Sequence, residues 1–272
     1  MKESADAEGS MLYFHSWSGG KDSTASVILD HIHNLPPSEI VISEVMFSHE
    51  RNISGELPEH MEFVHEVAIP RFEKWGYKVH VVRAEMDYVA DFYQVVKRSK
   101  VPERNGKYRA FPLGGMCYAN RDLKISPINN FYKQFDGRKI TQYVGIAADE
   151  PKRLARLRGT NKVSLLEQFG YTEQLAYNLC KEYGLLSPVY EFTKRGGCWF
   201  CPNQKNEELA RLKLVHPHLW QEIVNLSKQD NLASYGFKYG KTVAEIEVLL
   251  DAIIQNWDLE ESQINLFDGN TF

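Results

Sequence analysis

The sequence predicts an α/β fold, in which a doubly wound, mostly parallel sheet is followed by a helical, cysteine-containing C-terminal lobe. In the first half of the chain, short apolar and β-branched runs alternate with helical patterns. Strands that alternate with helices form parallel sheets that are covered on both faces. After residue 151 helical periodicity replaces this alternation, and the lobe contains the C-x-x-C pair Cys198 and Cys201.

The predicted strands and helices follow one another along the first part of the chain, with one further helix near its C-terminus. Strands are expected at 11–17, 40–47, 77–82 and 140–147, and helices at 24–33, 58–75, 87–97 and 244–257. Pro70 must kink or divide the second of these helices, because proline has no N–H to donate to the preceding turn. The carboxyl ends of parallel strands are the usual ligand-binding edge of such a sheet, so the segments that follow the strands are the first candidates for a site.

Net charge, hydropathy and cysteine content limit which classes of protein and of binding partner fit this sequence. The net charge of −4 excludes a general polycation, so a nucleic-acid surface would have to be a local patch. No apolar run reaches membrane-spanning length and no signal peptide is recognisable, which predicts a cytoplasmic protein with no membrane partner. In a reducing compartment the four cysteines favour metal binding, catalysis or plain thiols over disulfides. The oligomeric state cannot be read from the sequence.

The most informative segment is SGGKDS at residues 18–23, the Gly-rich loop, which joins the first predicted strand to the first predicted helix. A glycine-rich turn lets backbone N–H groups point into one small space, and the helix N-terminus adds partial positive charge, so the loop suits a phosphate or pyrophosphate. Lys21 adds a point charge, Asp22 can hold a metal or a hydroxyl, and Ser23 can cap the helix. The loop is not a P-loop, because it lacks the first glycine of that motif and has Asp after the lysine.

The Gly-rich loop resembles the S-G-G-x-D-S pyrophosphate loop of the PP-loop ATP pyrophosphatases. A second segment, GIAADEPKR at residues 145–153, resembles the G-x-x-x-x-E-[SP]-x-R segment of the phosphoadenosine phosphosulfate (PAPS) reductase-like branch. Taken from its residues alone, that segment is also compatible with an ordinary acidic helix start. The resemblance implies an adenine nucleotide alpha hydrolase-like fold that binds ATP and Mg²⁺ at the strand ends.

The resemblance also implies roles for particular residues. The catalytic residues would be Lys21, Asp22 and Ser23. The nucleotide would be bound by Ser18, Gly19, Gly20, Lys21, Asp22, Ser23, Phe47, His49, Gly145, Glu150 and Arg153. Many relatives have an Asp near the end of the second strand, where this chain has Ser48 and His49, and Glu50 or Glu56 could replace that Asp.

The cysteines form the second strong pattern. Cys198 and Cys201 are framed by glycines and a proline, and together with Cys117 and Cys180 they offer four thiolates, a complete shell for a [4Fe–4S] cluster or a zinc ion. Tight zinc sites usually show two close pairs, and this chain has one, so the cluster is favoured. Zinc is the second interpretation, and the absence of any metal, with Cys117 and Cys180 as buried thiols, is the third. The string RGGCWFCPN at 195–203 resembles bacterial and phage proteins of the PAPS reductase type.

Two basic stretches follow strand ends and favour an anionic substrate, with tRNA or DNA among the candidates. Charge runs are usually solvated faces, and these charges can also serve only nucleotide phosphates. Arg121 and Lys124 follow Cys117 by four and seven residues, which predicts that the three share one helical face near the metal. The candidate substrate-binding residues are Arg109, Arg121, Lys124 and Arg156.

These patterns predict a division of the chain into four parts. They are a disordered leader at 1–10, a PP-loop nucleotide-binding domain at 11–158, a helical, metal-binding lobe at 159–258 and an acidic tail at 259–272. A chain of 272 residues is long enough to bury the core of a large domain with an added lobe.

The reaction implied by the resemblance is adenylation of a substrate by ATP with release of pyrophosphate, followed by sulfur transfer to a nucleic acid or metabolite, with a sulfur donor protein as a possible partner. An adenylylsulfate or phosphoadenylylsulfate reductase is less favoured, because such enzymes use a cysteine in a C-terminal tail and no Cys follows Cys201. Two further functions are compatible with the sequence: a sulfate adenylyltransferase subunit, and a non-catalytic module that binds a nucleotide or a nucleic acid.

Overall fold

The alternating pattern of the sequence folds as a five-stranded sheet in which every strand pairing is parallel. In chain order the strands are β1 (Leu12–Trp17), β2 (Ser38–Ser43), β3 (Met46–Ser48), β4 (Ile53–Ser54), β5 (Val79–Val82), β6 (Ile140–Val144) and β7 (Lys162–Val163). The sheet has the order β5-β2-β1-β6-β7, while β3 and β4 form a separate antiparallel pair. The predicted α/β fold with a parallel sheet is therefore confirmed, and β1 lies at its centre.

In the described residues the chain forms eleven α-helices. They are α1 (Lys21–His33), α2 (Pro58–Glu62), α3 (Ile69–Lys74), α4 (Tyr88–Phe92), α5 (Ser126–Lys133), α6 (Pro151–Leu154), α7 (Leu165–Gln168), α8 (Glu173–Glu182), α9 (Asn206–Val215), α10 (Pro217–Ser227) and α11 (Val243–Asp268). π-helical turns occur at Phe63–Ala68 and Asn120–Ile125, and 3₁₀ turns at Pro102–Arg104, Ala155–Leu157 and Pro188–Glu191. No helix in the described residues combines the length and the apolar character that crossing a membrane requires.

The structure is a computed structural model that describes residues 11–112, 117–194 and 196–268, with only the backbone described for 258–268. The predicted leader, Arg195 and the last four residues of the predicted tail lie outside this range. The chain forms two units: the first comprises residues 1–85 and 120–196, the second 86–119 and 197–272. The strands β1 to β7 all belong to the first unit. The domain boundaries expected after residues 158 and 258 stay a prediction.

The core of the first unit occupies both faces of the sheet. On one face, Ile28 of α1 and Phe72 of α3 are fully buried with Trp17 in a large apolar cluster. On the other face, Phe14 and Tyr132 form a smaller cluster. Because successive residues of a strand point to opposite sides, β1 supplies Phe14 to one cluster and Trp17 to the other. The central strand is therefore buried on both sides, which fixes the position of the loop that follows it.

Several element boundaries differ from the predictions for identifiable reasons. The helix expected at 87–97 ends at Phe92, because the backbone of residues 94–96 pairs with that of 106–109 instead of continuing the helical bonds. The strand expected at 40–47 is two strands, β2 and β3, separated at Glu44, whose N–H binds the carbonyl of Val82. A π-helical turn precedes α3, and Pro70 stands in the first turn of α3, where its missing N–H is tolerated. The last helix continues past Trp257 to Asp268.

The end of β6 approaches the first turn of α1 more closely than any side chain would allow. A Cβ on Gly145 would lie 2.4 Å from the Ser23 amide nitrogen and 2.6 Å from the Ser23 Cα. Both are backbone atoms, which cannot avoid the clash by rotating as a side chain could. Gly145 is therefore required for β6 and α1 to pack as they do.

We expect Gly145→Ala to lower the free energy of unfolding by about 1–3 kcal/mol, because the added methyl group forces the backbone of β6 away from α1. Chemical denaturation would measure the change. Gly197→Ala is the matched control, since a Cβ there meets nothing within 4 Å, and it should alter stability by less than about 0.5 kcal/mol. Equal midpoints for the two variants would show that the contact at Gly145 is not limiting.

Candidate phosphate-binding site

The Gly-rich loop is a tight turn between the central strand and a largely buried helix of the first unit. β1 ends at Trp17 and α1 begins at Lys21, three residues earlier than predicted. Gly19 has a φ of +72°, a conformation that L side chains rarely adopt, and Gly20 is the extended N-cap of α1. Gly20 offers no side chain to the helix start, so the first N–H groups of α1 remain for other partners. The first turn of α1 consequently contains Lys21, Asp22 and Ser23 themselves.

Ser23 braces the loop and does not cap the helix. Its hydroxyl oxygen accepts the Ser18 N–H at 3.1 Å and donates to the Gly20 carbonyl at 2.9 Å, and the Ser18 hydroxyl lies 3.1 Å away. The predicted capping role of Ser23 is therefore wrong, because the residue stands inside the first turn and reaches back across the loop. This cross-bridge fixes the two ends of the turn relative to each other.

Lys21 carries a nearly buried ammonium group that two carboxylates hold. Its side chain is 9% exposed, and Nζ donates to Asp22 Oδ1 at 2.8 Å and to Glu173 Oε2 at 3.1 Å. Burial by itself lowers the pKa of Lys21, but the two carboxylates outweigh this effect and raise the pKa above its ordinary value. Lys21 is therefore a fixed positive charge at the N-terminus of α1.

Three carboxylates share the surroundings of this ammonium. The pKa of Asp22 is raised, mainly by burial, and the neighbouring charges of Glu173 and Glu150 add to the effect while Lys21 opposes it. Carboxylates brought together in this way are stabilised by a further cation. Oxygen ligands of this kind suit Mg²⁺, which commonly uses one or two protein carboxylates and completes its shell with phosphate and water oxygens.

The second motif of the sequence lies against the first. Gly145 contacts the backbone of Asp22 and Ser23, and the chain then turns into α6. Glu150 accepts the Ala147 N–H at 3.1 Å and is paired with Arg153, whose Nη1 lies 2.6 Å and 2.8 Å from the two carboxylate oxygens. The two motifs that the sequence singled out therefore meet at one edge of the sheet.

Two further side chains, which the sequence reasoning missed, complete the loop's surroundings. The ring of His60, from α2, lies against Gly19: a Cβ on that glycine would be 2.6 Å from Nε2. The hydroxyl of Tyr190 accepts the Lys21 N–H at 2.9 Å and also lies close to Gly20, where a Cβ would be 3.2 Å from it, a tight contact. The only sequence signal for His60 is its place directly after the P-E pair at 58–59, and Tyr190 had none.

The remaining predicted nucleotide residues occupy different environments. Phe47 is fully buried in β3, and the Arg51 guanidinium lies 5.9 Å from its ring centroid. His49 is exposed, with Nε2 3.0 Å from the Ala84 carbonyl oxygen. Of these two residues only His49 presents a polar surface to solvent.

The candidate substrate residues are also spread over different environments. Lys124 lies 3.7 Å from Glu56, and both charges act on His60, so Lys124 belongs to the surroundings of the Gly-rich loop. Arg121 pairs with Asp122 at 2.6 Å. The remaining two differ in exposure: Arg156 is exposed in the first unit, whereas Arg109 in the second unit binds the buried Asp91 and Gln94.

The prediction that Cys117, Arg121 and Lys124 share one face of an α-helix is wrong, because they do not lie on one α-helix. Residues 120–125 form a π-helical turn, and Cys117 precedes the helix. A π-helix bonds residues five apart and has a wider turn, so spacings of four and seven do not align as they would in an α-helix.

Cys180 has the environment of a structural thiol. It is fully buried in α8, its Sγ donates to the Lys21 carbonyl at 3.1 Å, and burial raises its pKa to about 12, with Asp22 adding to the effect. This contact joins Cys180 to the first turn of α1, and the four-cysteine metal site stays a prediction. Cys117, Cys198 and Cys201 belong to the second unit and are partly exposed. Among the described residues, no group of three or more His, Cys, Asp or Glu is arranged to hold a metal ion.

Comparisons with known proteins do not identify a family for this chain. No protein-family model matches the chain, and a search of curated proteins found no match. The relation to the PP-loop pyrophosphatases and their PAPS reductase-like branch therefore stays a prediction from the two motifs.

We expect Cys180 to resist alkylation by iodoacetamide at pH 8 in the folded protein, because a thiol with a pKa of about 12 contains almost no thiolate at that pH and is shielded from solvent. The partly exposed Cys198 and Cys201 should be modified first. Mass spectrometry of peptides after timed alkylation would measure this, with urea-unfolded protein as the control in which all four react. Fast labelling of Cys180 under native conditions would contradict its structural assignment.

Proposed function

We propose that this chain is an ATP pyrophosphatase of the PP-loop type, which transfers AMP from ATP to a substrate oxygen and releases pyrophosphate. In this reaction the substrate oxygen forms a bond to the α-phosphorus while the bond from that phosphorus to the bridging oxygen breaks, and the electron pair leaves with the pyrophosphate. The observation that carries the proposal is the buried ammonium of Lys21 at the N-terminus of α1, directly after a turn made of Gly19 and Gly20.

The loop can stabilise charge as it develops on the leaving group. Helix N-termini and fixed N–H groups favour anions, and they lose little energy to reorganisation because the fold has already oriented them. Lys21 supplies a full positive charge in this space, and a bound polyphosphate would compete for it with the carboxylates of Asp22 and Glu173. The half-exposed Glu173 is the weaker of these two partners, because solvent screens its charge.

The donor set around Lys21 fits Mg²⁺ as a companion of ATP. Asp22 is the residue that would hold it, with Glu150 and Glu173 as the neighbouring carboxylates. When bound, Mg²⁺ neutralises phosphate charge and orients the polyphosphate chain. The contribution of the protein itself is to keep Asp22 partly buried beside Lys21, so that the carboxylate is ready for a cation.

The acceptor is defined only by class. An anionic substrate, with tRNA or DNA among the candidates, is consistent with the exposed Arg156 and the partly exposed Lys124, which both belong to the unit that contains the loop. Transfer of sulfur after adenylation rests on the family resemblance alone. The proposal contains no step through a four-cysteine cluster.

We expect Lys21→Ala to weaken binding of inorganic pyrophosphate by about 10- to 100-fold, because a charge-assisted contact to the anion is lost. Isothermal titration of pyrophosphate and of ATP with Mg²⁺ would measure the change. Lys181→Ala is the matched control, since Lys181 is an exposed lysine of α8, and thermal unfolding would show that both variants are folded.

Product analysis provides the decisive test of the reaction type. Incubation with ATP, Mg²⁺ and pooled nucleic-acid acceptors should yield AMP-linked product or AMP together with pyrophosphate in equal amounts. Formation of ADP and phosphate would overturn the proposal, because the bond broken would then be between the β and γ phosphates. A wild-type protein that bound neither ATP nor pyrophosphate would overturn it as well.

A further inference from the structure

We propose that His60 is a positioning residue that orients the Gly19 amide toward the bound pyrophosphate group, with Ser187 holding the ring in the required tautomer. The inference rests on the proposed function of the Gly-rich loop and adds to it a residue outside both sequence motifs. His60 does not touch the reacting atoms in this assignment. It acts through the peptide group that joins Ser18 to Gly19.

The first observation is the contact between the ring and the loop. His60 is 3% exposed, although histidine is a polar residue, and its Nε2 edge faces Gly19. A Cβ on Gly19 would lie 2.6 Å from Nε2, 2.7 Å from Cε1 and 3.1 Å from a methyl group of Val64. Glycine at position 19 is therefore needed for this ring to reach the backbone, in addition to the need set by its positive φ.

The second observation is that the ring is anchored on one side and faces the loop with the other. Nδ1 lies 2.8 Å from the Ser187 hydroxyl, and Nε2 is the ring nitrogen that faces Gly19. The backbone of Ser18 raises the pKa of His60, which is the effect of an acceptor, so Nε2 is assigned as the donor toward the Ser18 carbonyl. Nδ1 is then the acceptor, and the Ser187 O–H donates to it.

The charge state of the ring agrees with this arrangement. Burial lowers the pKa of His60 and outweighs the opposing effects of Glu56 and the Ser18 carbonyl, while Lys124 acts in the same direction as burial. Glu56 and Lys124 lie 3.7 Å apart and offset each other. A neutral ring has one donor and one acceptor, as the two partners require.

The consequence for the loop follows from peptide geometry. No cis peptide bond occurs in the described chain, so the Ser18 carbonyl and the Gly19 N–H point in opposite directions across one planar group. A bond from His60 that holds the carbonyl turns the N–H away from the ring. The Gly19 amide is thereby kept as a donor for an anion in front of α1, and a loop without this bond would be free to rotate the peptide.

Two substitutions separate hydrogen bonding from packing. His60→Phe keeps a ring of similar size without the Nε2 donor, and His60→Gln restores an amide N–H near the Nε2 position. His218→Gln, at an exposed histidine of α10, is the matched control, and Ser187→Ala removes the partner that sets the tautomer.

The measurements are titration of inorganic pyrophosphate by calorimetry and the ¹H–¹⁵N shift of the Gly19 amide during that titration. We expect His60→Phe to weaken pyrophosphate binding about tenfold and to abolish the Gly19 shift, whereas His60→Gln retains most of both, and Ser187→Ala shows a smaller loss. Affinity for adenosine, which lacks the phosphates, should be unchanged in every variant, and thermal unfolding establishes that each is folded.

The outcomes distinguish this inference from the function on which it rests. If the wild-type protein binds no pyrophosphate, both are overturned. If it binds and His60→Phe binds equally well with an unchanged Gly19 shift, only the role of His60 is overturned. If His60→Gln is as impaired as His60→Phe, or if adenosine binding falls in parallel, the ring acts by packing alone and the positioning role is wrong.

Discussion

The arrangement of the candidate site depends on how closely the first turn of α1 is enclosed by backbone and side chains from distant parts of the chain. Gly145, at the end of β6, meets the Ser23 amide from one side, His60 lies against Gly19, and the Tyr190 hydroxyl occupies the Lys21 N–H. The contacts at Gly145 and Gly19 are possible only because these residues lack a Cβ. The glycines of the two motifs thus serve packing within the protein at the same time as they leave backbone N–H groups available for an anion.

The charges at this enclosed turn determine which ligands it can bind. A nearly buried ammonium is costly unless it is paired, and Lys21 is paired with Asp22 and Glu173. Burial is the main cause that raises the pKa of Asp22, and the neighbouring charges of Glu173 and Glu150 add to it. Carboxylates brought together in this way are stabilised by a further cation. A polyphosphate accompanied by a divalent ion brings both signs of charge, and such a ligand is complementary to a site that contains both. This balance supports a nucleotide in preference to a simple anion.

The cysteines show what tertiary contacts add to an argument made from residue count. Four cysteines suggested a complete thiolate shell, and in the structure Cys180 is buried in α8, where its Sγ–H donates a hydrogen bond to the carbonyl of Lys21. In that position it joins α8 to the first turn of α1 and supports the Gly-rich loop. Cys117, Cys198 and Cys201 belong to the second unit, and a site made of all four cysteines stays a prediction.

The sequence by itself determined the parallel α/β fold, the places of the main strands along the chain, and the two motifs that meet at the sheet edge, because these depend on local periodicity and on short-range turn chemistry. The order of the strands within the sheet came from the tertiary structure. It located the loop correctly but began α1 three residues late, since the N-cap is a glycine without a side-chain signature. Only the tertiary structure brought His60, Glu173 and Tyr190 to the loop and made Cys180 a buried thiol. Glu173 and Tyr190 each contact Lys21 from more than a hundred positions away in the sequence. Contacts of this range, like packing against a glycine, leave no pattern in neighbouring residues.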